Sequence, residues 1–161
     1  MIGHYLRITP QELAALEAAP ETVPDFVYRR DSPETGERHL DIDKAWHAIH
    51  VLLNHQRNAE HELLNVVFGG EPLGDADLGS GPARAISAPE VAAMATVVQS
   101  VSVDELRTRW DPQELEERNI YPHIWDEGDD ALEYVLDNYA RLVQFFVAAA
   151  RDGDAIITYI A

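Results

Sequence analysis

The chain has 161 residues, 46% hydrophobic and 25% charged, with no cysteine. That length suits one domain, residues 1–161, able to bury about two thirds of its extended-chain surface, and the composition excludes wholesale disorder and low-complexity repeats. Twelve Lys+Arg against 29 Asp+Glu give a net charge of −17, which disfavours nucleic acid and points to basic proteins, cationic ligands or metal ions. The lack of cysteine removes disulfide scaffolds, thiolate nucleophiles and Cys-based metal centres.

Ile2, His4, Leu6 and Ile8 alternate with Gly3, Tyr5 and Arg7, a period of two that predicts a half-buried strand. These opening residues lack a basic stretch followed by an apolar run, so the expected location is cytoplasmic. Thr9-Pro10-Gln11-Glu12 then carries a capping hydroxyl, a proline suited to the first helical position and a glutamate that closes a capping box, predicting a helix to about Leu16. Pro20, Pro24, Pro33 and Gly36 mark residues 20–38 as irregular, with a brief extended piece at Phe26-Val27-Tyr28.

From Asp41 to Asn54 the pattern is helical, because Ile42, Trp46, Ile49 and Leu53 fall on one stripe. A short helix is expected over His61–Phe68, and the glycines between Gly69 and Gly81 mark a long mobile loop. Residues 82–86 read as a second strand. Ser87-Ala88-Pro89-Glu90 repeats the start signal before a helix over 88–100, and Ser102 with Glu105, then Asp111-Pro112, open two short helices that end at Asn119–Pro122. Leu132, Val135, Leu136, Tyr139, Leu142, Val143 and Phe146 give the longest helix, from about Asp129 to Arg151, with Gly153 where a left-handed cap belongs. Its apolar part is far shorter than the roughly 20 residues a membrane span needs, so no membrane partner is expected. Asp154 to Ile160 alternates as a last strand. The expected fold class is α+β, a small mixed sheet including both terminal strands and covered by several helices.

Two groups of residues could carry chemistry. Asp43, His47 and His50 follow one another at helical spacing beside the core stripe, where a carboxylate and imidazoles can act as an acid–base pair or hold a metal. Equally, Asp41 or Asp43 can cap the helix while His50 packs on Trp46. Five of the seven histidines, at 39, 47, 50, 55 and 61, lie close together, but His61-Glu62 is followed by Asn65 where a metalloprotease helix needs histidine, so no metal site is predicted. The second group is acidic. Asp126, Glu127, Asp129, Asp130 and Glu133 open the long helix, and from Asp104 to Asp137 twelve acidic residues face three arginines, a net −9. Such a surface is either solvated, with the helix dipole favouring its charge, or a docking face that speeds encounter with a basic protein. Gly79-Ser80-Gly81 lacks the spacing of a nucleophile elbow, no phosphate-binding Gly-x-x-x-x-Gly-Lys occurs, and Asp75-x-Asp77 fails as a calcium loop because Ile86 stands where a bidentate glutamate is needed.

Four segments carry a resemblance: Met1-Ile2-Gly3 with Tyr5-Leu6; Leu40-Asp41-Ile42-Asp43-Lys44 with Trp46 and His50; Ile120-Tyr121-Pro122; and the final helix into Gly153-Asp154-Ala155-Ile156. The chain resembles the YfbM-like family, small bacterial proteins grouped as a domain of unknown function. The resemblance implies a compact single-domain α+β protein of the bacterial cytoplasm, and no activity, cofactor or catalytic residue comes with it. Its pattern includes Asp41, Asp43, Lys44, Trp46 and His50 but not His47.

Two readings stay open. The first is a non-enzymatic module that docks a basic partner through its acidic C-terminal half, with Asp126, Glu127, Asp129, Asp130 and Glu133 as the contacting residues. The alternative is a small-ligand-binding or hydrolytic enzyme with a pocket at the Asp41–His50 helix, closed by loop 69–81 and lined by Asp41, Asp43, Lys44, Trp46 and His50. There His50 would be the acid–base group, Asp43 its orienting partner and Trp46 an apolar wall. No cofactor is expected in either.

Overall fold

The computed structural model describes residues 1–30, 33–54 and 65–161. Its centre is a five-stranded sheet in the order β2-β1-β5-β4-β3, made of β1 (Gly3–Ile8), β2 (His39–Asp41), β3 (Glu71–Pro72), β4 (Arg84–Ile86) and β5 (Ala155–Ile160). The class is α+β with both terminal strands in the sheet. All four pairings are antiparallel rather than mixed. β1 and β5 pair along their full length, Gly3 opposite Ile160 and Ile8 opposite Ala155.

The two terminal strands are not half-buried, because they lie mid-sheet between two cores. On one face Tyr5, Leu40, Ile86, Ile156 and Ile160 meet α3 (Trp46–Leu53), α4 (Ala88–Ser100) and α7 (Asp129–Asp152). The other face puts Leu6, Ile8, Ala85, Ile157 and Tyr159 against α1 (Pro10–Ala18), α2 (Val23–Arg30) and the buried Leu73 and Leu78 of the glycine-rich loop. The period of two therefore sorts residues between two cores. The first strand's polar-looking set is accommodated locally: Tyr5 meets Phe145 and Phe146 edge-on, and Arg7 is paired with acids.

The helix starts follow their capping chemistry. Thr9 Oγ1 accepts from the Glu12 amide at 3.2 Å while Glu12 Oε2 accepts from the Thr9 amide at 2.8 Å, and Ser87 with Glu90 closes the same box on α4. Ser102 and Asp111 cap α5 (Val103–Thr108) and α6 (Pro112–Glu117) by accepting from the amides three residues on. Gly153, at φ 71° and ψ 26°, closes α7 in the left-handed region.

Three expectations are corrected. Phe26-Val27-Tyr28 is helical, because Pro24 is tolerated in a first turn, Val23 and Val27 fall on one buried face, and Arg29 and Arg30 suit the helix end. Leu40 and Asp41 belong to a strand recruited by the edge of β1, and the helix begins only at Trp46, after a 3₁₀ turn Asp43–Ala45 in which Asp43 takes a φ of 46°. The loop 69–81 is tied down by β3 and by Asp77, whose Oδ1 accepts from the amides of Gly79 and Gly81. His55, His61 and most of the helix expected from His61 lie outside the described residues; Val66–Phe68 form a turn. Among the described residues no helix is long and apolar enough to cross a membrane.

Candidate functional site

The turn between β2 and α3 is fixed to α7. The Tyr134 hydroxyl donates to Asp43 Oδ2 at 3.0 Å and accepts from the Lys44 amide at 2.9 Å, while Asp41 Oδ1 accepts from the Asp43 amide at 3.3 Å. Burial, reinforced by the Asp43 carboxylate, pushes the Tyr134 phenol well above its usual range, so it stays a donor. Asp43 and its neighbours thus hold a sharp turn against the longest helix. Lys44 is exposed.

Trp46 is buried and donates from Nε1 to the Met1 carbonyl at 3.2 Å. His47 stacks on it with ring centroids 4.8 Å apart, Tyr121 lies 6.0 Å away and Phe68 meets it edge-on. His47 Nδ1 accepts the Tyr121 amide at 3.1 Å, and burial, with Arg118 and His123 nearby, lowers its pKa, so it is built in as a neutral acceptor. His50 faces elsewhere: its Nδ1 is 3.3 Å from the Asn54 amide nitrogen and its ring meets Phe68 edge-on at 4.9 Å. The structure therefore brings Trp46, His47 and Tyr121 together and gives Asp43 and His50 different partners. Among the described residues no three of His, Cys, Asp and Glu are grouped to hold a metal ion.

Phe68 also lines a cleft of about 350 Å³ with Gly69, Gly70, Glu90 and Met94. Arg84 forms one wall, donating to the Gly69 carbonyl at 3.1 Å and the Gly70 carbonyl at 2.5 Å. His50 does not line this cleft but meets the ring of Phe68, which does, and Gly69 and Gly70 open the glycine-rich loop.

At the start of α7, Asp126, Glu127, Asp129 and Asp130 are all exposed, and none enters a hydrogen bond or ion pair among the described residues. Glu133 differs. It takes two hydrogen bonds from Arg107, at 2.5 and 3.2 Å, which hold its carboxyl below the usual range. Glu105 pairs with Arg109 and Glu114 with Arg118, so the unpaired charge concentrates at residues 126–130.

Sequence reasoning missed an ionic cluster at the other end of the sheet. Arg7 donates from Nε and Nη2 to Asp154 Oδ2 at 2.9 and 2.7 Å and from Nη2 to Asp152 at 2.5 Å, and Arg38 reaches Asp154 Oδ1 at 3.0 Å. Arg7 and Asp154 are 5% and 4% exposed, so both charges are compensated out of water. Hydrogen bonds from Arg151 and Arg7 hold the Asp152 carboxyl far below its ordinary range. The available signal was a charged residue within the first strand and another immediately before the last. His4, whose Nδ1 lies 3.2 Å from His39 Nε2 and whose ring stacks on Tyr159 at 4.7 Å, was equally unforeseen.

A family model described as a domain of unknown function, DUF1877, matches residues 1–159. The chain belongs to this family. Its fold matches the crystal structure of YfbM from Escherichia coli, itself a protein of unknown function, with a TM-score of 0.76 and 24% identity over 100% of both chains. No curated protein matches. The YfbM-like resemblance of the sequence and the observed fold agree, and the likeness at this identity carries the fold alone.

Proposed function

We propose that this YfbM-like protein is a cytoplasmic protein-binding module that docks a basic partner through its acidic C-terminal half. The observation that supports this reading best is the group Asp126, Glu127, Asp129 and Asp130, exposed together and without ion pairs in a chain of net charge −17. The N-terminus of α7 accounts for part of this charge through its dipole. Four unpaired carboxylates exceed what one helix end requires, and their field would steer a cationic surface into contact. Glu133, engaged by Arg107, would sit at the margin of that face.

The test uses the tagged full chain and a variant in which Asp126, Glu127, Asp129 and Asp130 are all changed to Lys, each as bait at low and moderate salt. One basic protein held at equal stoichiometry by the first, released by salt and not held by the variant, supports the reading. The same proteins on both baits, or none on either, overturns it.

The alternative, a small-ligand-binding or hydrolytic enzyme at the Asp41–His50 helix, draws on the cleft lined by Phe68, whose ring His50 meets edge-on, and by the first residues of the glycine-rich loop. In that reading His50 is the acid–base group and Trp46 an apolar wall, with Asp43 serving the turn. Phe68→Ala and His50→Gln should then both weaken ligands found by screening against the full chain.

A further inference from the structure

A second cleft lies between β2 and α7, on the side of the sheet that α7 covers, with a volume of about 310 Å³. That is the small end of the range for ligand pockets, about 300–1,000 Å³. Arg7 lines it from β1 and Arg141 from α7, so two guanidinium groups converge on one small space in a strongly acidic protein.

The bonding of each arginine leaves it able to take a further acceptor. Arg7 spends Nε and Nη2 on Asp154 and Asp152, and Nη1 makes no hydrogen bond. Nη1 is also absent from the polar atoms sealed from solvent without a partner. Arg7 therefore keeps one guanidinium nitrogen outside its ion pairs, and the residue lines the cleft. Arg141 donates from Nη1 to Asn138 Oδ1 at 3.0 Å, a neutral acceptor that orients the guanidinium without cancelling its charge. Among the described residues, eight arginines meet a carboxylate and Arg84 meets two carbonyls, leaving Arg141 and Lys44 as the basic residues with no ion pair or paired carbonyls.

The rest of the lining narrows the ligand. Leu40, Phe145 and Ala148 offer apolar surface, Gln144 adds a neutral amide and His39 an imidazole. Glu37, exposed at the rim, and the overall charge of −17 both oppose a polyanion. A guanidinium fork matches the paired oxygens of a carboxylate or a phosphate, and the acidic setting favours the singly charged carboxylate.

We propose that this cleft binds a small organic monocarboxylate, its carboxylate between Arg7 and Arg141 and its apolar body against Phe145 and Leu40. Arg7 is fixed in advance by Asp154 and Asp152, so binding needs only Arg141 to settle, which lowers its entropic cost. The site is separate from the acidic face, which lies several turns away toward the start of the same helix.

The experiment is an NMR titration of the ¹⁵N-labelled full chain with benzoate and hexanoate, in parallel with benzamide, hexanamide and inorganic phosphate. Expected are saturable shifts from the carboxylates at the Arg7 Nε–H, the Gln144 side-chain amide and the backbone of residues 144–148, and none there from the neutral amides. Arg141→Gln, at an exposed position, should weaken the carboxylates about tenfold, the worth of one charge-assisted hydrogen bond. Ala148→Phe should abolish binding by filling the space while leaving Arg7 and Arg141 in place. Equal shifts from the amides, equal shifts from phosphate, or affinity unchanged by both variants would overturn the proposal.

Discussion

Replacing Asp154 by Asn tests how the sheet tolerates charges in its interior. The change keeps size and shape but removes the carboxylate that accepts from Arg7 Nε and Nη2 and from Arg38 Nη2. It also places an amide N–H against guanidinium N–H groups. The backbone is untouched, since the Asp154 amide donates to the Ala149 carbonyl at 2.9 Å whatever the side chain. Removing one partner of a buried ion pair costs about 3–5 kcal/mol. The lower figure applies, because Asp152 still accepts from Arg7 Nη2 and Arg38, 39% exposed, can turn to water. A loss of about 3 kcal/mol corresponds to a fall in melting temperature of roughly 6–12 °C for a domain of this size. Urea unfolding of Asp154→Asn, Arg7→Met and the double variant measures both the loss and the coupling. With a shared interaction the double variant should lose clearly less than the sum of the single losses. A loss under about 1 kcal/mol for Asp154→Asn, or strict additivity, would refute the view that the pair is shielded from solvent.

Three further outcomes follow from the same geometry. Gly3→Ala would put a Cβ 2.9 Å from Trp46 Cβ and 3.2 Å from Ile42 Cγ1, so urea unfolding should show a loss of about 1–3 kcal/mol, and an unchanged midpoint would mean that this contact yields freely. His47, neutral and accepting from Tyr121, has its pKa lowered by burial. Its contribution is therefore complete above the unfolded-chain value of about 6.5 and is lost as pH falls through the lower folded value, so melting temperatures from pH 5 to 8 should fall on the acid side more steeply than in His47→Asn; parallel curves would contradict this. Moderate salt should raise the melting temperature by screening the excess carboxylates, and a flat or falling response would show them to be locally compensated.

The helices were legible wherever a local signal sufficed: the capping boxes at Thr9 and Ser87, the long apolar stripe of α7 and the cap at Gly153 all describe interactions made within a few residues. What the sequence obscured depends on distant partners. Asp41, which reads as the start of a helix, instead ends the strand His39–Asp41, because β1 offers an edge and that pairing overrides the local pattern. Arg7 looks like the solvent side of a strand until Asp154, at the far end of the chain, comes beside it. At the candidate site, the burial of Trp46 was foreseeable from its place on a core stripe. The separation of Asp43 from His50 was not, because helical spacing is lost in the turn where Asp43 takes a positive φ.

The helix α7 carries the two proposed surfaces at different points along one rigid rod, with Asp129 and Asp130 at its start and Arg141 and Gln144 in its second half. From Asp130 to Gln144 the rise is about 20 Å, at about 1.5 Å per residue. Charges separated by more than a Debye length of about 8 Å at physiological ionic strength hardly feel one another through solvent. A carboxylate in the cleft should therefore leave the affinity of a basic partner for the acidic face unchanged at that ionic strength. Through-space coupling would show only at low salt, where the anion and the cationic partner would each raise the other's affinity by the same factor. Coupling that persists at physiological salt would require a conformational route, and the closure of α7 at Gly153 and its fixation through Tyr134 to the β2–α3 turn argue against one. Measuring carboxylate affinity for the full chain and for the variant with Lys at 126, 127, 129 and 130 decides the matter: equal values at physiological salt fit two independent sites, and unequal values would show that α7 transmits the change.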